Sequence, residues 1–182
     1  MNVIAVIGSP HKDGPSARLT LAAVQGARDA GHHVDVYYVG DMNIRGCQGC
    51  EFCKNNSKDC ILNDDLKPYW EKLHAADALI VSAPNYCATI NGPMITYLNR
   101  HYCLINAEWK PRIHAGIKVL GIFSQGETDK EKYMDAYRWY MADFENRDMV
   151  LQDIIVHSRR GDGEVTPEHE LYKRAYAVGN SF

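Results

Sequence analysis

Short apolar, β-branched runs alternate with amphipathic segments five times along this chain, and that alternation is the pattern of a parallel sheet with helices on both faces. The apolar runs are Val3–Ile7, His33–Val39, Ala78–Ala83, Lys118–Phe123 and Val150–Val156. Each is short and nearly continuous, as expected of strands buried on both sides. Between them the spacing predicts helices over Ser16–Ala30, Leu66–Ala76, Pro93–Tyr102 and Asp129–Asn146, and a last one from the Thr166-Pro167 cap to Val178, stopped by Gly179. Leu19, Ala22, Ala23, Gly26 and Ala27 give the first helix a face small enough for close packing. Thr128 and Glu131 have capping-box spacing before the fourth.

A chain of 182 residues with no repeat or linker suits one domain over 1–182. Its net charge of −3 and lack of a basic run argue against a nucleic-acid surface. No segment approaches the ~18 apolar residues of a membrane span. Met1–Gly8 lacks a basic lead and reads as a strand rather than an export signal, so a reducing, cytoplasmic setting is expected.

Ligands of open α/β sheets bind beyond the carboxyl ends of the strands. Three loops fall there: Ser9–Ser16, Pro84–Ile90 and Ser124–Asp129. The first lacks both the G-x-G-x-x-G and the G-K-[ST] patterns. It offers the hydroxyls of Ser9 and Ser16, glycine turns and the N–H groups of a helix start, all suited to a phosphate, with His11, Lys12 and Arg18 as nearby cations. An ordinary strand–helix loop with a serine cap has the same composition, so the loop alone leaves both readings open.

The stretch Val6-Ile7-Gly8-Ser9-Pro10, followed by Gly14 and Ser16, resembles the start of the NADPH-dependent FMN reductase family, and within it the iron–sulfur flavoprotein branch. The branch typically reads G-S-P-R-x-x-G-N-T. This chain departs from it at His11, in place of arginine, and at Pro15, in place of asparagine. Pro84-Asn85-Tyr86, the helix Pro93–Arg100 and Ser124-Gln125-Gly126 match later family segments, so the resemblance covers nearly the whole chain. It implies a flavodoxin-like three-layer sandwich with a five-stranded parallel sheet in the order 2-1-3-4-5. It also implies FMN held by Ser9, His11, Ser16, Pro84, Asn85, Tyr86, Cys87, Ala88, Thr89, Ser124 and Gly126. Family members form dimers or tetramers, which implies a homo-oligomer, with Tyr97–Trp109 as a candidate interface.

Residues 40–65 form an insertion carrying Cys47-x2-Cys50-x2-Cys53-x6-Cys60. Loops this long are usually functional. Consecutive C-x2-C units begin ferredoxin-type [4Fe–4S] sites, whereas zinc sites usually pair one C-x2-C with a distant second. Iron–sulfur, zinc and unmetallated thiols are all compatible with the spacing. The resemblance to iron–sulfur flavoproteins implies the first, with Cys47, Cys50, Cys53 and Cys60 as the ligands. Cys87 and Cys103 belong to no motif and read as structural thiols.

No hydrolytic triad or H-E-x-x-H pattern is present, and no side-chain acid or base is assigned. The resemblance implies an FMN oxidoreductase moving electrons between NAD(P)H or a ferredoxin-like donor, FMN, a [4Fe–4S] cluster and an acceptor. A non-enzymatic flavodoxin-like carrier, a cluster-free quinone, azo or nitro reductase, and a zinc-stabilised interaction module are the competing readings.

Overall fold

Val3, Ile4, Ala5, Val6 and Ile7 present no polar side chain to either face, and the strand they build is buried on both. In the computed structural model, which describes residues 1–182, this is β1 (Asn2–Ile7), an interior strand of the sheet. It is followed by α1 (Pro15–Asp29), β2 (His33–Tyr38), α2 (Phe52–Asn56), α3 (Lys67–His74), β3 (Ala78–Tyr86), β4 (Thr89–Ile90), α4 (Gly92–Arg100), β5 (Lys118–Gln125), α5 (Met134–Glu145), β6 (Val150–Ser158) and α6 (Glu170–Asn180). Five strands run parallel in the order β2-β1-β3-β5-β6. Two-residue β4 is an addition to the expected five and folds back antiparallel on the end of β3. Leaving β4 aside, the order is the expected 2-1-3-4-5.

Alternate strand residues feed two cores. Ile4, Val6, Leu79, Val81, Val119 and Phe123 pack under α3, α4 and α5, with Tyr69, Trp70, Tyr97 and Phe144. Val3, Ala5, Ile80, Leu120 and Ile122 face α1 and α6. No helix is long and apolar enough to cross a membrane.

Several boundaries differ from expectation for identifiable reasons. β3 continues through Pro84 and Asn85 to Tyr86, because β4 gives its end an antiparallel partner. The fourth helical segment opens as a 3₁₀ turn, Lys130–Tyr133, and its start is capped by Asp129, whose carboxylate accepts from the Glu131 N–H, rather than by a Thr128–Glu131 box. Thr166-Pro167 does not cap the last helix. The His169 ring does, accepting from the Leu171 N–H, and α6 begins three residues beyond Pro167. The insertion is not structureless, since it contains α2.

Gly179 does not end α6 but lies within it, where the helix meets α1. A Cβ on Gly179 would come within 2.0 Å of the Ala23 carbonyl oxygen, and one on Gly26 within 2.1 Å of that of Tyr176. The two helices touch backbone to backbone, and only glycine permits it. Gly26→Ala and Gly179→Ala are therefore each expected to destabilise the fold by at least about 1–3 kcal/mol, the range for overpacking a filled contact. Urea denaturation reads this directly, and an unchanged midpoint in both variants would contradict the contact.

Candidate functional site

Gly8 ends β1 where the strand passes so close to β3 that a Cβ would sit 2.8 Å from the Ser82 carbonyl oxygen. Its N–H donates to that oxygen at 2.8 Å, and its own carbonyl accepts from Asn91 Nδ2 at 2.6 Å. This fixes the exit of the first loop. The loop then turns on itself, with Ser9 Oγ accepting from the His11 N–H at 3.1 Å and Gly14 N–H donating to the His11 carbonyl at 3.0 Å. α1 starts at Pro15 with no side chain capping it, so its first N–H groups are left for another acceptor.

The loops after β1, β3 and β5 enclose a cleft of about 610 Å³. Ser9, His11, Ser16, Pro84, Asn85, Tyr86, Ser124 and Gly126 all line it. Cys87, Ala88 and Thr89 do not. Cys87 and Ala88 form the two-residue turn between β3 and β4, both at positive φ, and Thr89 Oγ1 lies 2.7 Å from the Tyr140 hydroxyl on α5. The hairpin is hidden in sequence because neither turn residue is the expected glycine or asparagine. The cleft adds Asp13, Gly14, Pro15, Gln125 and Arg159. Arg159 follows β6 and had no local motif to reveal it.

Two buried polar atoms in the cleft walls lack a protein partner: the Ser16 hydroxyl, at the start of α1, and Asn85 Nδ2, beyond β3. Buried polar groups are normally satisfied, so each is a ready contact for a bound polar group. Gln125 is held rigid by contrast, accepting from the Tyr137 hydroxyl at 2.9 Å and donating to the Asp129 carbonyl at 2.7 Å. Tyr86, 45 % exposed, is the only Phe, Tyr or Trp in the lining.

A second pocket, of about 10 Å³, is lined by Cys47, Cys50, Cys53 and Cys60 together. Cys47 and Cys50 are exposed, whereas Cys53 is buried and Cys60 half-buried. No three side chains of the metal-ligating types converge on a position for a single metal ion. Cys103, which had no motif, is also in the wall; burial pushes its thiol up to about 12. Burial likewise raises the Cys53 thiol.

The loop carrying these thiols buries few side chains and is held mainly through its backbone. At its neck, the N–H of Asn43 donates to Asp65 at 2.6 Å and that of Arg45 to Asp64 at 3.2 Å. Asp64 in turn pairs with Arg100, the last residue of α4. Both side chains are sealed from solvent, at 0 % exposure for Arg100 and 4 % for Asp64. Farther out, Lys54 donates to the carbonyls of Tyr102, at 2.8 Å, and Ile105, with its ammonium 3.9 Å from the centre of the Tyr102 ring. Arg112 donates to the carbonyls of Ser57, Lys58 and Cys103.

The NADPH-dependent FMN reductase family model matches residues 1–148. The chain belongs to that family. Among curated relatives, it is 27% identical over 125 residues to an iron–sulfur flavoprotein of Archaeoglobus fulgidus, covering 65% of this chain and 61% of that one. It is 26% identical over 129 residues to an iron–sulfur flavoprotein of Methanosarcina thermophila, covering 70% and 67%. The match thus spans about three-fifths to two-thirds of those relatives. In fold it is similar to an NADH:FMN oxidoreductase solved in its apo form, with a TM-score of 0.68 at 15% identity, covering 99% of this chain and 87% of that one.

The Arg100–Asp64 pair yields a prediction with a definite sign. Burial opposes the Asp64 charge, but the hydrogen bonds from Arg100, Arg45 and Leu66 outweigh it and hold the carboxyl below its ordinary 3.8. Because folding lowers this pKa, the pair's contribution is present above pH 3.8 and is lost as pH falls through the lower folded value. Asp64→Asn leaves the Arg100 charge buried and unpaired, which should cost about 3–5 kcal/mol at pH 7. The gap from wild type should narrow on acidification below pH 3.8. Denaturation at pH 7 and pH 3 checks both; a gap that does not depend on pH would contradict it.

Proposed function

We propose that this chain binds FMN in the cleft beyond β1, β3 and β5 and works as an NAD(P)H-linked oxidoreductase with an iron–sulfur cluster on Cys47, Cys50, Cys53 and Cys60. The observation that carries the flavin assignment is the unpartnered Ser16 hydroxyl at the open N-terminus of α1, inside a polar cleft of ligand size. The FMN phosphate belongs there, with Ser9 organising the loop and His11 and Arg159 supplying charge. Asn85 Nδ2 is a free donor for a ring carbonyl, and Tyr86 supplies an aromatic wall. Cys87, Ala88 and Thr89 are left out of this assignment.

The donor set of the second pocket fits an iron–sulfur group. Four soft thiols share one pocket, two of them exposed. Together the two groups would convert a two-electron hydride supply into single-electron transfer. The protein's part is to bind, orient and insulate, and no side-chain proton transfer is required. Asn91, before α4, donates to Gly8 at the cleft, and Arg100, at the end of α4, reaches the thiol pocket. Nine residues of helix separate them, roughly 13 Å at 1.5 Å per residue. The FMN cleft and the thiol pocket would thus lie towards the two ends of α4, in a chain that acts as a homo-oligomer. We read the chain as one domain over 1–182, working in a reducing cytoplasm.

Anaerobic purification tests both assignments. The expected result is FMN on chromatography of the released cofactor, iron and sulfide in about equal amounts without zinc, and oxidation of NADPH or NADH. Failure to take up FMN at micromolar concentration would overturn the flavin reading, and zinc in place of iron the cluster reading. Ser16→Ala should weaken FMN binding by about 1.5–3 kcal/mol, the value of a hydrogen bond to a charged group, or roughly ten- to a hundredfold. It should leave the stability of the flavin-free protein unchanged, because the hydroxyl has no protein partner to lose. Fluorescence titration with FMN checks the first statement and urea denaturation the second; an unaltered Kd would contradict the phosphate assignment.

A further inference from the structure

Buried ion pairs are weak evidence of stabilisation, since apolar residues of the same volume often do as well. The Arg100–Asp64 pair therefore calls for a reason beyond stability. Arg100 meets both ends of the cysteine loop. One terminal nitrogen donates to Asp64, just after Cys60, and at 2.8 Å to the carbonyl of Arg45, just before Cys47; the other reaches the second Asp64 oxygen at 3.3 Å. Arg45 closes the circuit by donating its own N–H to Asp64. A guanidinium presents several donors in a fixed planar fork, and a lysine ammonium cannot reproduce that arrangement.

The same side chain lines the thiol pocket beside Cys60. Its Nε–H is buried without an acceptor among the hydrogen bonds formed. The cation thus has both terminal nitrogens committed to the loop's neck and its remaining donor unpaired, in a side chain that shares the pocket wall with Cys60.

We propose that Arg100 is a positioning residue for the thiol pocket: its fork clamps the two ends of the cysteine loop before any metal arrives, and its charge acts on the Cys60 sulfur. The second half rests on the cluster reading given above; the first does not. A fixed cation beside a ligand sulfur favours the reduced, more negative form of a cluster and so raises its potential. Outer partners of this kind orient ligands and tune the group they hold.

The experiment compares wild type, Arg100→Lys and the double variant Arg100→Gln/Asp64→Asn, in which no unpaired charge is left buried. FMN binding and melting temperature establish that each is folded. In metal-free protein, tryptic cleavage after Arg45 and Lys58 reads the clamp. It should be at least tenfold faster in both variants, because neither retains the fork. After anaerobic reconstitution with iron and sulfide, an electron paramagnetic resonance titration reads the charge. At a fixed applied potential the reduced-to-oxidised ratio should fall at least threefold in the double variant and return towards wild type in Arg100→Lys. Unchanged cleavage in the folded double variant would overturn the clamp. Faster cleavage with an unchanged potential would overturn the action on Cys60 and leave Arg100 a purely structural residue. A wild type that assembles no cluster would overturn the cluster reading, and with it the action on Cys60, while the cleavage rates would still decide the clamp.

Discussion

A long polar loop with little to bury can hold one shape only if its backbone carbonyls find donors. The segment between β2 and α3 is in this position, for of its cysteines only Cys53 is buried. Its donors come from outside it, and its own single buried cation anchors it to carbonyls beyond α4. Arg100 holds the neck, Lys54 anchors the middle to the carbonyls after α4, and Arg112 takes the carbonyls before Cys60. Charged donors make the stronger hydrogen bonds, and partly buried ones escape most screening. Arg100 itself lines the thiol pocket, and Lys54 and Arg112 bond the backbone of Tyr102 and Cys103 in its wall.

That arrangement bears on what a metal group there would do. In small zinc-dependent domains the metal supplies the folding energy, and the loop has no structure without it. Here the protein supplies the frame, and the pocket's donors stand on it. The cluster proposed above would stand on that frame, which suits a redox role in a chain of the FMN reductase family. α4 then becomes the central element, since its start is tied to the cleft through Asn91 and Gly8 and its end forms the pocket through Arg100.

The sheet was legible because strands buried on both faces leave an unmistakable apolar run, and the parallel order follows from the helices between them. The cleft was legible to the extent that residues beyond strand ends are forced together by topology: Ser9, Ser16, Asn85 and Ser124 share it for that reason. Cys87 to Thr89 lie outside the lining of the cleft because β3 outruns its apolar stretch and reverses in a tight turn of non-glycine residues. Gly179 was misread as a helix stop because glycine also serves close helix contact, and sequence does not distinguish the two uses. Lys54 and Arg112 left no trace at all, since their partners are backbone carbonyls that any residue could provide. Arg100 was visible only as the end of a matched helix, and nothing marked Asp64 as its partner.

If Arg100, Lys54 and Arg112 shape the cysteine loop, its amides are protected before any metal binds. Amide hydrogen exchange on the metal-free, flavin-free chain tests it most directly. The amides of Asn43, Arg45, Lys54 and Asn55, each hydrogen-bonded within the loop, are expected to exchange slowly without iron and to change little when it is added. Exchange at the rate of an unfolded chain at these four amides, with protection gained only on adding iron and sulfide, would contradict it.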